Sequence, residues 1–219
     1  MSNIKVKDGF QIRQDLIEFA PQLYLRMGKI HEACGPAKIR IAILLASTIK
    51  GLIVWIRPNW ENTILNMDGL SDWFSPKRLL LINADNKNDL FFATEEILRS
   101  GLPSLTITEL PQIPNNIQMQ RLNFSIKKGK VYGGSNATIG LILTPHKGGA
   151  TNIDSRWYAS PLPCWKYSKN TIYPTLKQKW YISRLFSRIG PSKEWSLESV
   201  QTNENNQTPK QKLILTPFK

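Results

Sequence analysis

Gly35-Pro36-Ala37-Lys38-Ile39-Arg40 stands between an extended run, Gly28 to Cys34, and an apolar segment, Ala37 to Ile49. A turn of that kind, leading from a strand into a helix, is where nucleotide-binding folds hold phosphate. The chemistry needs G-x-x-x-x-G-K-[ST]: glycines so that the backbone can wrap the phosphates, a lysine for charge and a hydroxyl for magnesium. Counting from Gly35, the second glycine falls on Arg40, the lysine on Ile41 and the hydroxyl residue on Ala42. Lys38 and Arg40 are basic, but neither supplies the bare backbone curvature, and no hydroxyl is left for a metal. Gly35, Pro36, Lys38, Arg40, Ile41 and Ala42 therefore mark a degenerate phosphate loop, with no cofactor or metal expected and no ATP hydrolysis.

A second group of residues could act on polyanions. Arg156, Lys166, Lys169, Lys177, Lys179, Arg184 and Arg188 are interleaved with Trp157, Tyr158, Trp165, Tyr167 and Trp180. Cations mixed with aromatic faces suit single strands, where phosphates meet charge and bases stack. The bland alternative is a solvated basic face, and Trp157 and Trp180 themselves read as core. His31, beside Glu32, reads as a structural histidine. No Ser-His-Asp or Cys-His order stands out. Two cysteines without a CxxC and two histidines make no zinc set.

These residues sit in a chain of 219 with 41% apolar and 21% charged residues, an ordinary globular composition for one domain. The net charge of +13 is not ordinary, and it favours polyanions or an acidic protein surface. From Trp165 to Lys219, ten Lys and Arg stand against three Glu. Met1 to Asp8 is polar and charged, and no apolar run reaches the ~18 residues of a spanning helix. A cytoplasmic protein with reduced thiols and no membrane partner is expected.

The elements that must position the residues alternate. Gly28–Cys34 is a strand, Ala37–Ile49 a helix closed by Gly51, and Leu52–Ile56 a β-branched strand of the kind buried in a parallel sheet. Residues 61–78 read as a helix and turn, and Leu79–Ile82 as a third strand. Asp89–Ser100 is a helix with Gly101 past its end, and Leu105–Leu110 a fourth strand. Asn115–Lys128 is an amphipathic helix and Thr138–Leu143 a fifth strand. Alternation of this kind means an α/β parallel sheet. Pro145–Asn152 reads as a mobile loop. Ser155–Ser160 and Trp180–Leu185 read as antiparallel edge strands, and Trp195-Ser196-Leu197 as a third. Before the core, residues 1–27 form a lead-in with a short helix over Asp8–Phe19. After residues 28–198, the polar stretch 199–219 reads as a disordered tail.

Four stretches carry a resemblance: Ile30-His31-Glu32-Ala33-Cys34-Gly35-Pro36, Val54-Trp55-Ile56, Ser155-Arg156-Trp157, and Arg184-Leu185 with Gly190-Pro191 and Glu194-Trp195. Together the pattern resembles a RecA-like core and, within that group, the ImuA family of accessory proteins of bacterial inducible mutagenesis. The division inhibitor SulA shares the reduced core and is the alternative. The resemblance implies a three-layer fold with a mainly parallel central sheet and antiparallel edge strands. It implies a non-catalytic scaffold of error-prone translesion synthesis in the SOS response to DNA damage. Its partners would be RecA, an inactive polymerase-like protein, an error-prone polymerase and single-stranded DNA. It would place a catalytic carboxylate near Asn59, where an amide cannot accept a proton, and a magnesium-side carboxylate near Glu109, otherwise an exposed carboxylate before Pro111. It also implies that Pro145–Asn152 is a DNA-contacting loop, with Lys147, Gly148 and Gly149 laying charge and amides against phosphate. A plain connector is the equal alternative.

Overall fold

Short runs of alternating apolar residues open the structure, a computed structural model that describes residues 6–7, 10–11, 15–61, 65–132, 137–163, 178–202 and 210–218. Strands β1 (Val6–Lys7) and β2 (Phe10–Gln11) form one hairpin, and β3 (Leu16–Ala20) and β4 (Leu23–Arg26) a second. The helix expected over Asp8–Phe19 is thus a strand where it meets Leu16–Ala20. The reason is the turn: Gln22 takes φ +63°, and its amide donates to the Glu18 carboxylate at 2.6 Å. The chain folds back there, and Phe19, Leu23 and Leu25 become fully buried.

The main body follows as β5 (Ile30–Cys34), α1 (Lys38–Thr48), β6 (Ile53–Pro58), α2 (Met67–Ser71), a 3-10 turn at Pro76–Arg78, β7 (Leu79–Ala84), α3 (Lys87–Ser100), β8 (Leu105–Glu109), α4 (Asn116–Tyr132) and β9 (Ile139–Leu143). After it come β10 (Ser155–Pro161), β11 (Gln178–Ser187), β12 (Lys193–Thr202) and β13 (Lys210–Pro217). One sheet of nine strands runs in the order β13-β12-β11-β10-β5-β9-β8-β6-β7. From β10 to β7 the pairings are parallel, and from β10 to β13 they are antiparallel. The protein is a mixed α/β fold with a large, mostly parallel central sheet.

Period-two alternation divides the sheet between two cores. Ile53 and Trp55 of β6 face α1 and the β3–β4 hairpin, together with Ile107, Leu141 and Trp157. Val54 and Ile56 face α3 and α4, packed with Leu90, Leu98, Met119, Leu122 and Ile126. Local signals place the helix ends. The Asn86 side chain accepts the amides of Asn88 and Asp89 to start α3, and Gly101 in the left-handed region ends it. Arg78 reaches back to donate to the Ile49 and Ala46 carbonyls at the end of α1.

Of the stretch 199–219 expected as a disordered tail, residues 199–202 and 210–217 are strand, while 203–209 and 219 lie outside the described residues. No break falls at residue 198, because β12 runs through it, and β13 pairs with β12 from Trp195↔Pro217 to Thr202↔Lys210. The composition of 199–219 is polar on average, but Leu213 and Leu215 alternate with exposed Lys212 and Ile214 and pack on the α1-side core. A two-residue period, not the mean, decides a strand.

Candidate functional site

The Gly35–Lys38 turn sits at the carboxyl end of β5, where the chain leaves the sheet for α1. Its main-chain donors are all engaged. The Gly35 amide donates to the His146 carbonyl at 2.9 Å, the Ala37 amide to Ala159 at 3.0 Å and the Lys38 amide to Gly35 at 3.2 Å, while Pro36 has none to give. Gly35 takes φ +89°, and a Cβ there would lie 2.4 Å from the Ala159 carbonyl and 2.8 Å from the Tyr158 ring. The glycine lets β10 pass close by, and the turn has no free donor among these residues to offer a phosphate. The Lys38 ammonium donates to the Thr144 carbonyl at 3.2 Å. Arg40 points the other way, its guanidinium 4.8 Å from the Trp73 ring centroid and 4.3 Å from that of Trp180. Burial lowers its pKa to about 10, so it stays charged between the two rings, a cation–π clamp. Ile41 and Ala42 are buried in the α1-side core.

Beside the turn, a fully buried carboxylate organises the loop after β9. Glu32 lies in mid-β5, between β9 and β10. Its Oε1 accepts from the Thr144 hydroxyl at 2.6 Å, the Gly149 amide at 3.0 Å and the Ala150 amide at 3.2 Å. Its Oε2 accepts from Arg156 Nε at 2.5 Å, and Arg156 Nη2 donates to the Ala150 carbonyl at 2.7 Å. A buried charge persists only when paired and hydrogen-bonded in this way. The loop holds left-handed backbone at His146, Gly148 and Asn152, and a Cβ on Gly148 would lie 2.7 Å from Glu32 Oε1. Of the amides expected to face a phosphate, that of Gly148 donates to the Pro145 carbonyl and that of Gly149 to Glu32. The Gly149 amide and the Arg156 guanidinium are turned inward onto Glu32, and Gly148 is needed for fit. Lys147 is exposed, on the rim of a hollow of about 440 Å³ lined with Gly35, Pro36, Lys38 and Tyr158.

The remaining basic candidates are scattered. Lys179 is paired with Glu198 at 2.8 Å across β11 and β12. The Arg184 guanidinium lies 5.7 Å from the Trp157 ring and 5.5 Å from the Trp195 ring, and its Nε donates to the Pro191 carbonyl at 2.8 Å. Partial burial lowers its pKa. Trp157 and Trp180 are core, Trp157 stacked on Trp195 at 6.0 Å and edge-on to Phe19. Lys166, Lys169 and Lys177, with Trp165 and Tyr167, lie outside the described residues. Arg188 is exposed at the opposite end of the sheet from the turn, with Lys29 and Lys127.

Asn59 is exposed past the end of β6 and donates to Asp85 Oδ1 at 3.2 Å. Glu109 is not an exposed carboxylate: it is 8% accessible and accepts from the Trp55 indole at 2.7 Å. His31 is fully buried and fully used. Its Nε2 lies 2.8 Å from the Arg26 carbonyl and must donate there, so Nδ1 accepts from the Ser155 hydroxyl at 2.7 Å, which itself accepts from the Trp157 indole at 2.9 Å. Burial holds its pKa down to about 4. Cys34, whose thiol burial pushes up to about 12, faces the Trp157 carbonyl.

Sequence reasoning passed over Glu32 as an organiser, although a lone carboxylate inside the run Ile30–Cys34 is the signal that could have found it. Among the described residues no group of three or more His, Cys, Asp or Glu gathers as a metal site, and no helix is long and apolar enough to cross a membrane. Compared with known protein families and with curated proteins, the chain matches none.

Proposed function

We propose that the chain is a non-catalytic, RecA-like scaffold of the ImuA kind, an accessory subunit of an inducible, error-prone DNA synthesis complex. It would hold RecA, an inactive polymerase-like protein and an error-prone polymerase together on damaged DNA. The observation that carries the non-catalytic part is the turn after β5, whose amides at Gly35, Ala37 and Lys38 are spent inside the chain. Nucleotide chemistry at this place would need those donors and a proton acceptor near them; Asn59 carries an amide, and one oxygen of Glu109 is taken by the Trp55 indole. A mainly parallel sheet with the turn-bearing strand inside it and antiparallel strands appended to one edge suits the RecA-like reading. The net charge of +13 suits a protein that works beside a polyanion.

Affinity capture with the tagged full-length chain from damage-induced cells tests this. The expected result is recovery of RecA and polymerase-type proteins, unchanged when ATP and magnesium are added or removed, with no ATP turnover by the purified chain. Recovery of the division tubulin homologue instead would favour the SulA-like alternative. ATP-dependent capture or measurable hydrolysis would overturn the scaffold reading.

A further inference from the structure

The amino ends of the strands carry a second cleft, which the end of the Pro145–Asn152 loop touches through Asn152. It has a volume of about 550 Å³, within the roughly 300–1,000 Å³ of ligand sites. One wall is the middle of α4, with Gln120, Asn123, Phe124 and Lys127, and the other is the entry to β5 and β10, with Lys29 and Asp154. Among the described residues Asp154 is the sole carboxylate of the lining, and the Arg26 guanidinium covers it in a two-pronged ion pair. Its charge is therefore cancelled. Lys29, Lys127 and Arg188 remain around the opening, and none of them enters an ion pair among the described residues.

Between those cations stands an aromatic ring in water. Phe124 is 57% exposed, and the Lys128 ammonium lies 4.7 Å from its ring centroid. Asn123 is oriented by donating to the Met119 and Asn152 carbonyls at 2.9 Å, which commits its amide nitrogen and leaves its acceptor. Gln120 adds a second amide. A phosphate-binding rim, a stackable ring and amides able to meet a base edge are the parts of a single-strand site. We propose that this cleft binds single-stranded nucleic acid, with Lys29, Lys127 and Arg188 on successive phosphates and a base stacked on Phe124. An acidic protein would use the cations but has no need of the ring and the amides. The proposal requires the basic charge to serve a polyanion but not the translesion assembly.

The test is fluorescence anisotropy of a labelled oligo(dT) with the full-length chain over a salt series. Lys127 and Arg188 are exposed, so Lys127→Gln with Arg188→Gln leaves the fold in place. That double variant should bind at least tenfold more weakly and flatten the slope of log affinity against log salt by about 1.4, since each phosphate contact on a single strand contributes about 0.7. Phe124→Ala should lose at least fivefold and keep the slope. Lys147→Gln should change neither. Binding that survives the cleft variants, binding lost with Lys147→Gln, no binding of the wild type at low salt, or equal displacement by polyglutamate would each overturn the proposal. Its failure is separable from that of the scaffold reading, because partner capture by the Lys127→Gln/Arg188→Gln chain is unaffected if only the cleft is wrong.

Discussion

At the scale of the residue, the structure spends its unusual groups on itself. His31 is the clearest case, neutral between a carbonyl and a hydroxyl in a site closed to water. Its folded pKa, about 4, lies below the ordinary 6.5 because burial disfavours the cation. The unfolded chain therefore binds the proton more readily between those values, and stability rises with pH across that window. His31 contributes its full share above pH 6.5 and loses it as pH falls toward 4, about 3 kcal/mol in all. Urea titrations at pH 7 and pH 4.5 should show that loss, and His31→Gln should remove most of the difference between the two pH values. Glu32→Ala would leave Arg156 and two loop amides without their acceptor, a loss of about 3 kcal/mol. The expected sign is a melting temperature lowered by several degrees, with hydrogen exchange at Gly149 and Ala150 sped up. If exchange there is unchanged, Glu32 does not hold the loop.

At the scale of the element, periodicity decided what could be read. The strands β5 to β9 and the helices α1, α3 and α4 each carry an apolar pattern long enough to choose between 3.6 and 2, and each lies close to where the sequence places it. The misread pieces are short or polar on average. Leu16–Ala20 and Leu213–Leu215 have only two or three inward residues apiece, and their partners, β4 and β12, are what make them strands. The site was half legible. Counting from Gly35 found the missing phosphate-loop residues, but the cleft joins Lys29, Lys127 and Arg188 from three distant stretches that no local spacing connects. β13 also permits a test. Ending the chain at Thr202 removes Leu213 and Leu215 from the α1-side core and opens β12 as an edge, so the shortened chain should self-associate in light scattering while the full chain does not. A monodisperse shortened chain would mean that β13 is dispensable.

At the scale of the whole molecule, β10 joins a parallel half to an antiparallel half, and one core spans both, from Ile53 to Leu197. The Arg40 clamp between Trp73 and Trp180 ties the same halves from outside the sheet. The two halves should therefore melt together. Tryptophan emission draws on Trp55 in the parallel half and on Trp157, Trp180 and Trp195 in the other. It should give the same midpoint as far-ultraviolet circular dichroism, and two separated midpoints would show independent units.

The placement of β5 also governs the order in which the chain can be assembled. Its partners are β9 and β10, so a ribosome that has released Ile30–Cys34 must still make every residue to Ser155 before both sides of that strand can close. At ~5–20 residues per second the wait is on the order of ten seconds. For most of that time, until β9 is made, an apolar strand carrying Glu32 and His31 has neither neighbour, and joining segments so far apart in sequence is slow in itself. β10, and not the strands after it, is the segment whose arrival closes the second side of β5.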